Sequence, residues 1–453
     1  MPNTEPEAYT IARNWQLSSP RISSLPATAD VVIIGGGIVG VSTAWFLARQ
    51  GVSVVVCEKG RVACEQSGRN WGWVRQQGRD PRELPLMMES RRIWQDLETD
   101  IGEDVGFTEC GCLFMARSEE DEERLATWLS VAREHDLDTQ IIAGARLDDE
   151  VSFASKQWRS ALYTRSDSRA EPHKAAPAIA RAAERAGAQI LTGCAVRGID
   201  TAAGSVAGVV TEHGRIKAPV VLCAAGAWTE MFCRSLGIRV PQLRVRGTVV
   251  RTARGPKVLN GCVFDDLVGI RRRQDGGYTV AHGAVLDHAI TPTTLRYATK
   301  FLPALRQEFS VLRLSIGADF VEELRTPTRW DLDQPSPFEK KRLLDPAPNP
   351  KVLQGIGENL AKAFPALADL AIVEAWAGMV ETSPDVLPII GDHADLPGFY
   401  VASGFSGHGF GIGPGAGKAI AAMLTGDASG FDFSHFRLQR FFDGSPIEPM
   451  KSV

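Results

Sequence analysis

Residues 30–60 read DVVIIGGGIVGVSTAWFLARQGVSVVVCEKG. Val31–Ile34 is a β-branched run that ends on Gly35-Gly36-Gly37. The segment from Ile38 repeats apolar residues at helical spacing until Gly51, and a second apolar run ends at Glu58. Strand, glycine turn, helix and strand make a βαβ unit. Gly35, Gly37 and Gly40 fill the three slots of G-x-G-x-x-G. The first glycine permits the tight turn, the second lets backbone approach a pyrophosphate, and the third lets helix pack on strand. A helix starting at Ile38 aims free N–H groups and its positive end at phosphate. Glu58, with Lys59 beside it, stands where a carboxylate accepts hydrogen bonds from ribose hydroxyls. An acid there favours an adenosine without a 2′-phosphate.

A second glycine-rich junction lies far away at Gly404–Lys418, GFSGHGFGIGPGAGK, between the strand-like GFYVAS and the helical KAIAAMLTG. Two such junctions suit a long dinucleotide whose ring system needs its own cradle, which selects FAD over NAD. A helix N-terminus aimed at the ring would stabilise negative charge on it, and Pro414 suits the first turn of that helix. Between the junctions the pattern predicts helices over 85–99 and 118–136, a buried strand over 111–116, a helix from His173 and a strand over 188–200. A hairpin follows over 208–218, then an apolar strand from Val220. Residues 240–330 are β-rich, interrupted by a helix near 295–310. The pattern suggests two interleaved domains, a doubly wound α/β one collected from three pieces and a mixed-sheet one between them.

Composition narrows the function. A net charge of −4 gives no electrostatic footprint for nucleic acid. The one compact basic run, Arg271-Arg272-Arg273, reads as a solvated strand end. No apolar stretch reaches transmembrane length. Eight cysteines without a CxxC pair argue against a zinc site, any other metal, or a disulfide reductase. They read as reduced thiols of a cytoplasmic protein. Residues 1–29 lack a secretory signal and read as a surface arm.

The stretch Ser67–Asp80, SGRNWGWVRQQGRD, alternates like neither a strand nor a helix, yet holds two tryptophans and three arginines. With residues 30–60, VVLCAAGAWT, ETSPDVLPIIG and GFYVASGFSGHGFGIGPGAGKAIAAML, it resembles the FAD enzymes of the D-amino-acid oxidase, glycine oxidase, sarcosine oxidase and D-amino-acid dehydrogenase (DAO) family. Within that family it looks most like the bacterial branch containing γ-glutamylputrescine oxidase-type enzymes. The resemblance implies an α/β fold: a discontinuous Rossmann-like FAD-binding domain of the glutathione-reductase type (30–78, 150–228, 380–425), interleaved with a mixed-sheet α+β substrate domain (79–149, 229–379), and a tail (426–453). It implies that Glu58 holds the ribose and that Val196 meets the adenine. Ser67, Asn70 and Trp71 would lie along the pyrophosphate and ring, Ala225, Gly226 and Trp228 would cross the cofactor, and Gly404, Phe405, Ser406, Gly407, His408 and Gly409 would wrap the ring edge. Arg75 falls where sarcosine-oxidase-like members bind the substrate carboxylate, and Trp73, Tyr278, His282, Glu381 and His408 are placed near the ring.

The pattern also departs from that family. Val380 stands where the glycine and D-amino-acid oxidases carry an arginine. Gly378 stands where sarcosine oxidases carry the flavin-linked cysteine, so noncovalent FAD is expected. Gly411 replaces a lysine after H-G-F, and neither Tyr278 nor Thr279 is the lysine associated with oxygen, which weakens the case for a fast oxidase and raises that for a dehydrogenase; the electron acceptor is read as O2 or another carrier. The implied reaction is oxidation of the C–N bond of a small amino acid or secondary amine by hydride transfer to flavin N5, giving an imine that hydrolyses. An FAD-dependent 2-hydroxy-acid dehydrogenase and an FAD-holding subunit of a larger amine dehydrogenase complex are the rival readings, and nothing in the sequence argues against an oligomer.

Overall fold

The computed structural model describes residues 10–11, 24–283, 285–309, 311–427 and 430–449. Two large sheets organise them. The first runs Gln189–Thr192, Val54–Glu58, Val31–Ile34, Val220–Cys223, Phe399–Ser403 and Ile389–Asp392 in spatial order. All neighbours are parallel except the last pair. Its strands are buried on both faces, which is why they read as continuous Val/Ile runs rather than alternating ones. Helices Ile38–Arg49, Pro172–Arg185 and Gly409–Thr425 pack on one face. A small antiparallel sheet, Val196–Ala202, Ser205–Thr211 and Gly214–Lys217, packs on the other. The expected strand over 188–200 is therefore two strands in two sheets, broken at Gly193, whose φ is +64°.

The second sheet has eleven strands, with Ile372–Thr382, Leu243–Thr252, Tyr278–His282, Val268–Arg272, Cys262–Phe264 and Cys112–Ala116 at its centre. Helix Pro350–Ala363 covers one face through Val352, Ile356 and Leu360. Most of the N-terminal arm lies outside the described residues. Thr10–Ile11 pairs in parallel with Glu374 and Ala375 of Ile372–Thr382. Ser160–Thr164 also joins this sheet, beside Cys112–Ala116.

Three local expectations are corrected. Arg271 is not solvated: it is fully buried and grips Glu171 with two bonds of 2.9 and 3.0 Å. Flanked by Arg271 and Arg273, the buried Glu171 carboxyl is held down at about 2. Pro414 sits inside helix Gly409–Thr425, beyond its first turn. The Ser90 hydroxyl repairs the ladder one residue later. It donates to Gly411 O (2.6 Å) and accepts from Gly415 N–H (3.0 Å), a side chain inserted between a carbonyl and its i+4 partner. The segment after Glu65 is not irregular throughout: Gln66–Arg69 is a helical turn, and Trp73–Val74 pairs with Ser168–Arg169.

Candidate cofactor groove and catalytic chamber

The first glycine bend is fixed by hard contacts. Gly35 has φ +111°, and a Cβ there would lie 2.5 Å from Ala224 O; a Cβ on Gly40 would lie 2.2 Å from Gly35 O. Helix Ile38–Arg49 thus starts directly on the strand. Its first N–H, on Ile38, donates to Ser67 Oγ at 2.9 Å. The Glu58 carboxylate accepts from Gly36 N–H (2.7 Å) and Gly60 N–H (2.6 Å), while burial pushes its pKa up.

A groove runs from this bend past Val196, Ala225, Gly226 and Trp228 to Phe405, Gly407 and Gly409. Gly35, Gly37, Ile38, Glu58, Lys59, Ser67 and Asn70 line it too. Asn70 braces the turn beneath, donating to Gln66 O and Ser67 O and accepting from Gly72 N–H. The Trp228 indole N–H donates to Glu65 Oε1 at 2.9 Å, and the Lys59 ammonium stands 3.0 Å from the Trp228 ring centroid. Burial lowers Lys59 to about 8. Of the remaining cofactor candidates, Gly40 lies behind the groove as a packing glycine, Trp71 lies outside the lining among the chamber aromatics, and Gly404, Ser406 and His408 belong to the second bend without lining the groove. Ser406 Oγ donates to Gly404 O at 2.9 Å, which keeps that bend closed. The groove suits FAD: it is elongated, glycine-walled at both ends, and carries a carboxylate at one end and two helix N-termini along its length.

Sequence reasoning missed several of its walls. Glu65, Gln66, Phe232, Phe338, Val380 and Phe410 also line it. Of these, Gln66 carried a signal in its place next to the SGRN stretch, and Val380 in standing where related oxidases carry an arginine. Gly378 is packed under the same turn, and a Cβ there would meet Gln66 Oε1 at 2.0 Å.

Glu381 lines the groove at its Gly407 end and is 9 % exposed. Burial raises its carboxyl to about 7, against a smaller opposing effect of the Phe405 N–H. Val380, its neighbour, faces Gly407.

The Trp/Arg loop touches more than the groove. Trp71 packs against Val249, Ala281 and Trp376 and stacks on Phe264. Trp73 lies edge-on to Trp71 and Phe264, and its buried indole N–H finds no partner among the described residues. The Arg75 guanidinium lies 5.1 Å from the Phe114 ring centroid and donates to Gln77 O. Asp167 clamps the loop by accepting from Gln76 N–H (2.7 Å) and Gln77 N–H (3.1 Å). Burial lifts Asp167 to about 6.

Tyr278 and His282 are corrected as ring-side residues. Side chains alternate along a strand, and in Tyr278–His282 it is Ala281 that faces Trp71. The even-numbered residues face helix Pro350–Ala363. Tyr278 is buried there, its hydroxyl donating to Pro256 O at 2.5 Å, and His282 Nε2 lies 3.3 Å from Asn359 Nδ2. Burial pushes the His282 pKa down. The missed charged residue is Glu83. It is fully buried before helix Leu84–Ile101, with its Oε1 2.8 Å from His408 Nδ1 and 3.7 Å from Arg79 Nη1.

Residues 30–423 match the DAO family, described as FAD dependent oxidoreductase. The chain is 26% identical over 431 residues to human mitochondrial sarcosine dehydrogenase, covering 92% of this chain and 42% of the relative, so it spans less than half of that protein. It is 24% identical to the sarcosine oxidase subunit beta of Rhizobium meliloti, covering 96% of this chain and 94% of the relative. Among solved structures, the L-amino acid deaminase of Proteus myxofaciens in complex with anthranilate superposes with a TM-score of 0.90 at 32% identity. That match covers 96% of this chain and 98% of the other. Among the described residues no helix is long and apolar enough to cross a membrane. The groove and the match over residues 30–423 lead to one conclusion: the chain belongs to the DAO family of FAD-dependent oxidoreductases.

Proposed function

We propose that the chain is an FAD-dependent oxidoreductase that oxidises the C–N bond of a small amino acid or secondary amine. The observation that carries this reading is the placement of a buried acid, Glu381, in the same groove that the two glycine bends wall. FAD bound there would supply the oxidising chemistry, taking up a hydride, and with it both electrons, from the substrate Cα. The protein residues bind and orient. Arg75, on a loop clamped by Asp167, takes the substrate carboxylate, since a guanidinium matches it with two parallel hydrogen bonds. Glu381 faces the substrate's cationic end, whose charge draws the raised carboxyl into its ionised form. Trp71, Trp73, Phe114 and Phe264 form a ring-lined wall that excludes water and holds the reacting carbon still. The fully covered deaminase structure supports an amino-acid substrate. Noncovalent FAD is supported by Gly378, which has no side chain to attach and whose free face is filled by Gln66. The FAD-binding domain is proposed to comprise 30–78, 150–228 and 380–425. A cytoplasmic location is supported by eight cysteines that are all free thiols.

The test is anaerobic bleaching of the flavin absorbance by D- and L-amino acids, N-methyl amino acids and polyamines, with 2-hydroxy acids as the rival panel. Bleaching by hydroxy acids alone would replace the reading. A second reading has one specific support, the likeness to a protein named as a subunit: the chain would hold FAD within a larger complex. Stoichiometric bleaching of the isolated chain by an amine would end that reading.

A further inference from the structure

Glu83 and His408 come from opposite ends of the chain and meet in its interior. Glu83 precedes helix Leu84–Ile101 without capping it, and its Oε1 lies 2.8 Å from His408 Nδ1, a charge contact off the ideal hydrogen-bond direction. His408 is the residue before helix Gly409–Thr425, and both its neighbours, Gly407 and Gly409, line the groove. The imidazole keeps 21% of its surface open, while Glu83 has none. The charged groups around this pair are Arg79, 3.7 Å from Glu83, and Arg75, which acts on both members. Arg79 is lowered to about 9 by burial, so it stays cationic at neutral pH.

Charge decides the protonation pattern. Burial is the largest influence on both partners. It opposes the Glu83 carboxylate, but His408 and the arginines overcome it and leave the carboxyl below its ordinary value. For His408, burial and then Arg79 outweigh Glu83 and leave the ring neutral at pH 7. A neutral imidazole beside a carboxylate must carry its proton on the nitrogen that faces it, so Nε2 keeps the lone pair.

We propose that Glu83 is a positioning residue that locks His408 in the Nδ1–H tautomer, so that His408 Nε2 accepts the proton of the substrate ammonium while Arg75 holds the carboxylate. This deepens the amino-acid reading above and rests on it. An amino acid arrives as a zwitterion, and its nitrogen has no lone pair to expel hydride until one N–H bond breaks. That proton passes to Nε2, the N–H electron pair stays on nitrogen, and the Cα–H pair can then leave as hydride to the bound FAD. The imidazolium so formed is paired with Glu83, and its proton returns to water after turnover. The competing acceptor is Glu381.

The experiment uses the FAD-loaded protein. The rate of anaerobic flavin reduction by the best amino acid of the panel is followed from pH 5 to 9 in wild type, H408N, E83Q and E381Q. Nitrogen-15 spectra of labelled histidine are recorded alongside. Wild type should show one neutral Nδ1–H imidazole that is missing in H408N and becomes a tautomer mixture in E83Q. Its reduction rate should fall on the acid side along a limb below pH 7. H408N should lose that limb and about a hundredfold in rate, in line with a lost general base. E83Q should shift the limb to lower pH, because two guanidiniums then act on the ring uncompensated, and should lose about tenfold at pH 7. E381Q should keep the limb. A limb that survives H408N, or that vanishes in E381Q alone, overturns the proposal while leaving the amino-acid reading intact. Absence of bleaching by every amine removes both. If E83Q fails to retain FAD, which its absorbance spectrum reports, the H408N limb decides alone.

Discussion

At Gly40 a methyl group would lie 2.2 Å from the Gly35 carbonyl oxygen, whereas at Gly404 and Gly407 the nearest atoms are side chains of Ile389 and Val380 at 3.3 and 3.7 Å. Yet Gly404 and Gly407 have φ of +66° and +83°, and Ser406 between them has +52°. The two bends that wall one groove therefore need glycine for different reasons. The first is limited at Gly35 and Gly40 by backbone atoms that cannot move aside, with a positive φ at Gly35 besides. The second is limited by torsion, and its nearest neighbours are side chains that can shift. Each bend also has its own acid, half-buried Glu58 at the first and buried Glu381 at the second, and these differ too. Glu58 takes two short backbone N–H bonds from Gly36 and Gly60. Glu381 has the Phe405 N–H and faces the groove.

The largest expected effect follows from the spatial limit. Gly40→Ala would gain about 1 kcal/mol of helix propensity. The clash must lift helix Ile38–Arg49 off its strand, and overpacking of this kind costs about 3 kcal/mol or more. The loss wins, and it falls on the pyrophosphate site itself. Purified Gly40→Ala should lose bound FAD by absorbance and melt well below wild type. A yellow variant of normal stability would show that the first bend is no tighter than the second.

The acids sharpen the contrast next. Burial raises the Glu381 carboxyl from 4.5 to about 7. A raised carboxyl favours the protonated folded form. The resulting stability is complete below pH 4.5 and is lost as pH rises through 7. The full difference is about 3 kcal/mol at most. Denaturant titrations of the apoprotein at pH 5 and pH 8 should show Glu381→Gln more stable relative to wild type at pH 8 than at pH 5. An offset independent of pH would mean the acid is solvated. The torsional limit gives a smaller effect. Gly407→Ala should cost about 1–2 kcal/mol, the price of a left-handed residue with a side chain, with FAD retained but more weakly held.

The spatial bend was the more legible of the two. A carbonyl pressed against Cα leaves a fixed spacing of glycines, and Gly35, Gly37, Gly40 and Glu58 could be placed from spacing alone. The torsional bend could be found by its glycine density, but Pro414 was set too early because a side chain elsewhere, Ser90, rescues the helix around it. The chamber was harder still. Trp71 and Trp73 announced a contact, but their partners Phe264 and Trp376, and Phe114 packed on Phe264, come from three separated strands. Tyr278 and His282 were placed near the ring by the family resemblance, and only the pairing of that strand decides which face it turns to the ring. Arg271 looked solvated for want of Glu171, one hundred positions away in the chain. Glu83 left no trace at all, since an acid before a helix is ordinary until its partner is known.

Gly409→Ala is the mildest and most discriminating change. Gly409 is the first residue of its helix, has no left-handed torsion, and a Cβ there would meet Phe405 Cβ at 3.2 Å, a contact that a small shift relieves. Helix propensity favours alanine by up to about 1 kcal/mol, so the strain and the gain nearly cancel. The apoprotein should melt within about 3 °C of wild type. Gly409 nevertheless lines the groove, so the added methyl group occupies space that FAD would otherwise contact. Its dissociation constant should rise by about tenfold, the equivalent of about 1.4 kcal/mol. Stability and cofactor affinity would then separate at the second bend, where at Gly40 they fall together. If Gly409→Ala instead destabilises the apoprotein as strongly as Gly40→Ala, space rather than torsion limits both bends, and the distinction between them is lost.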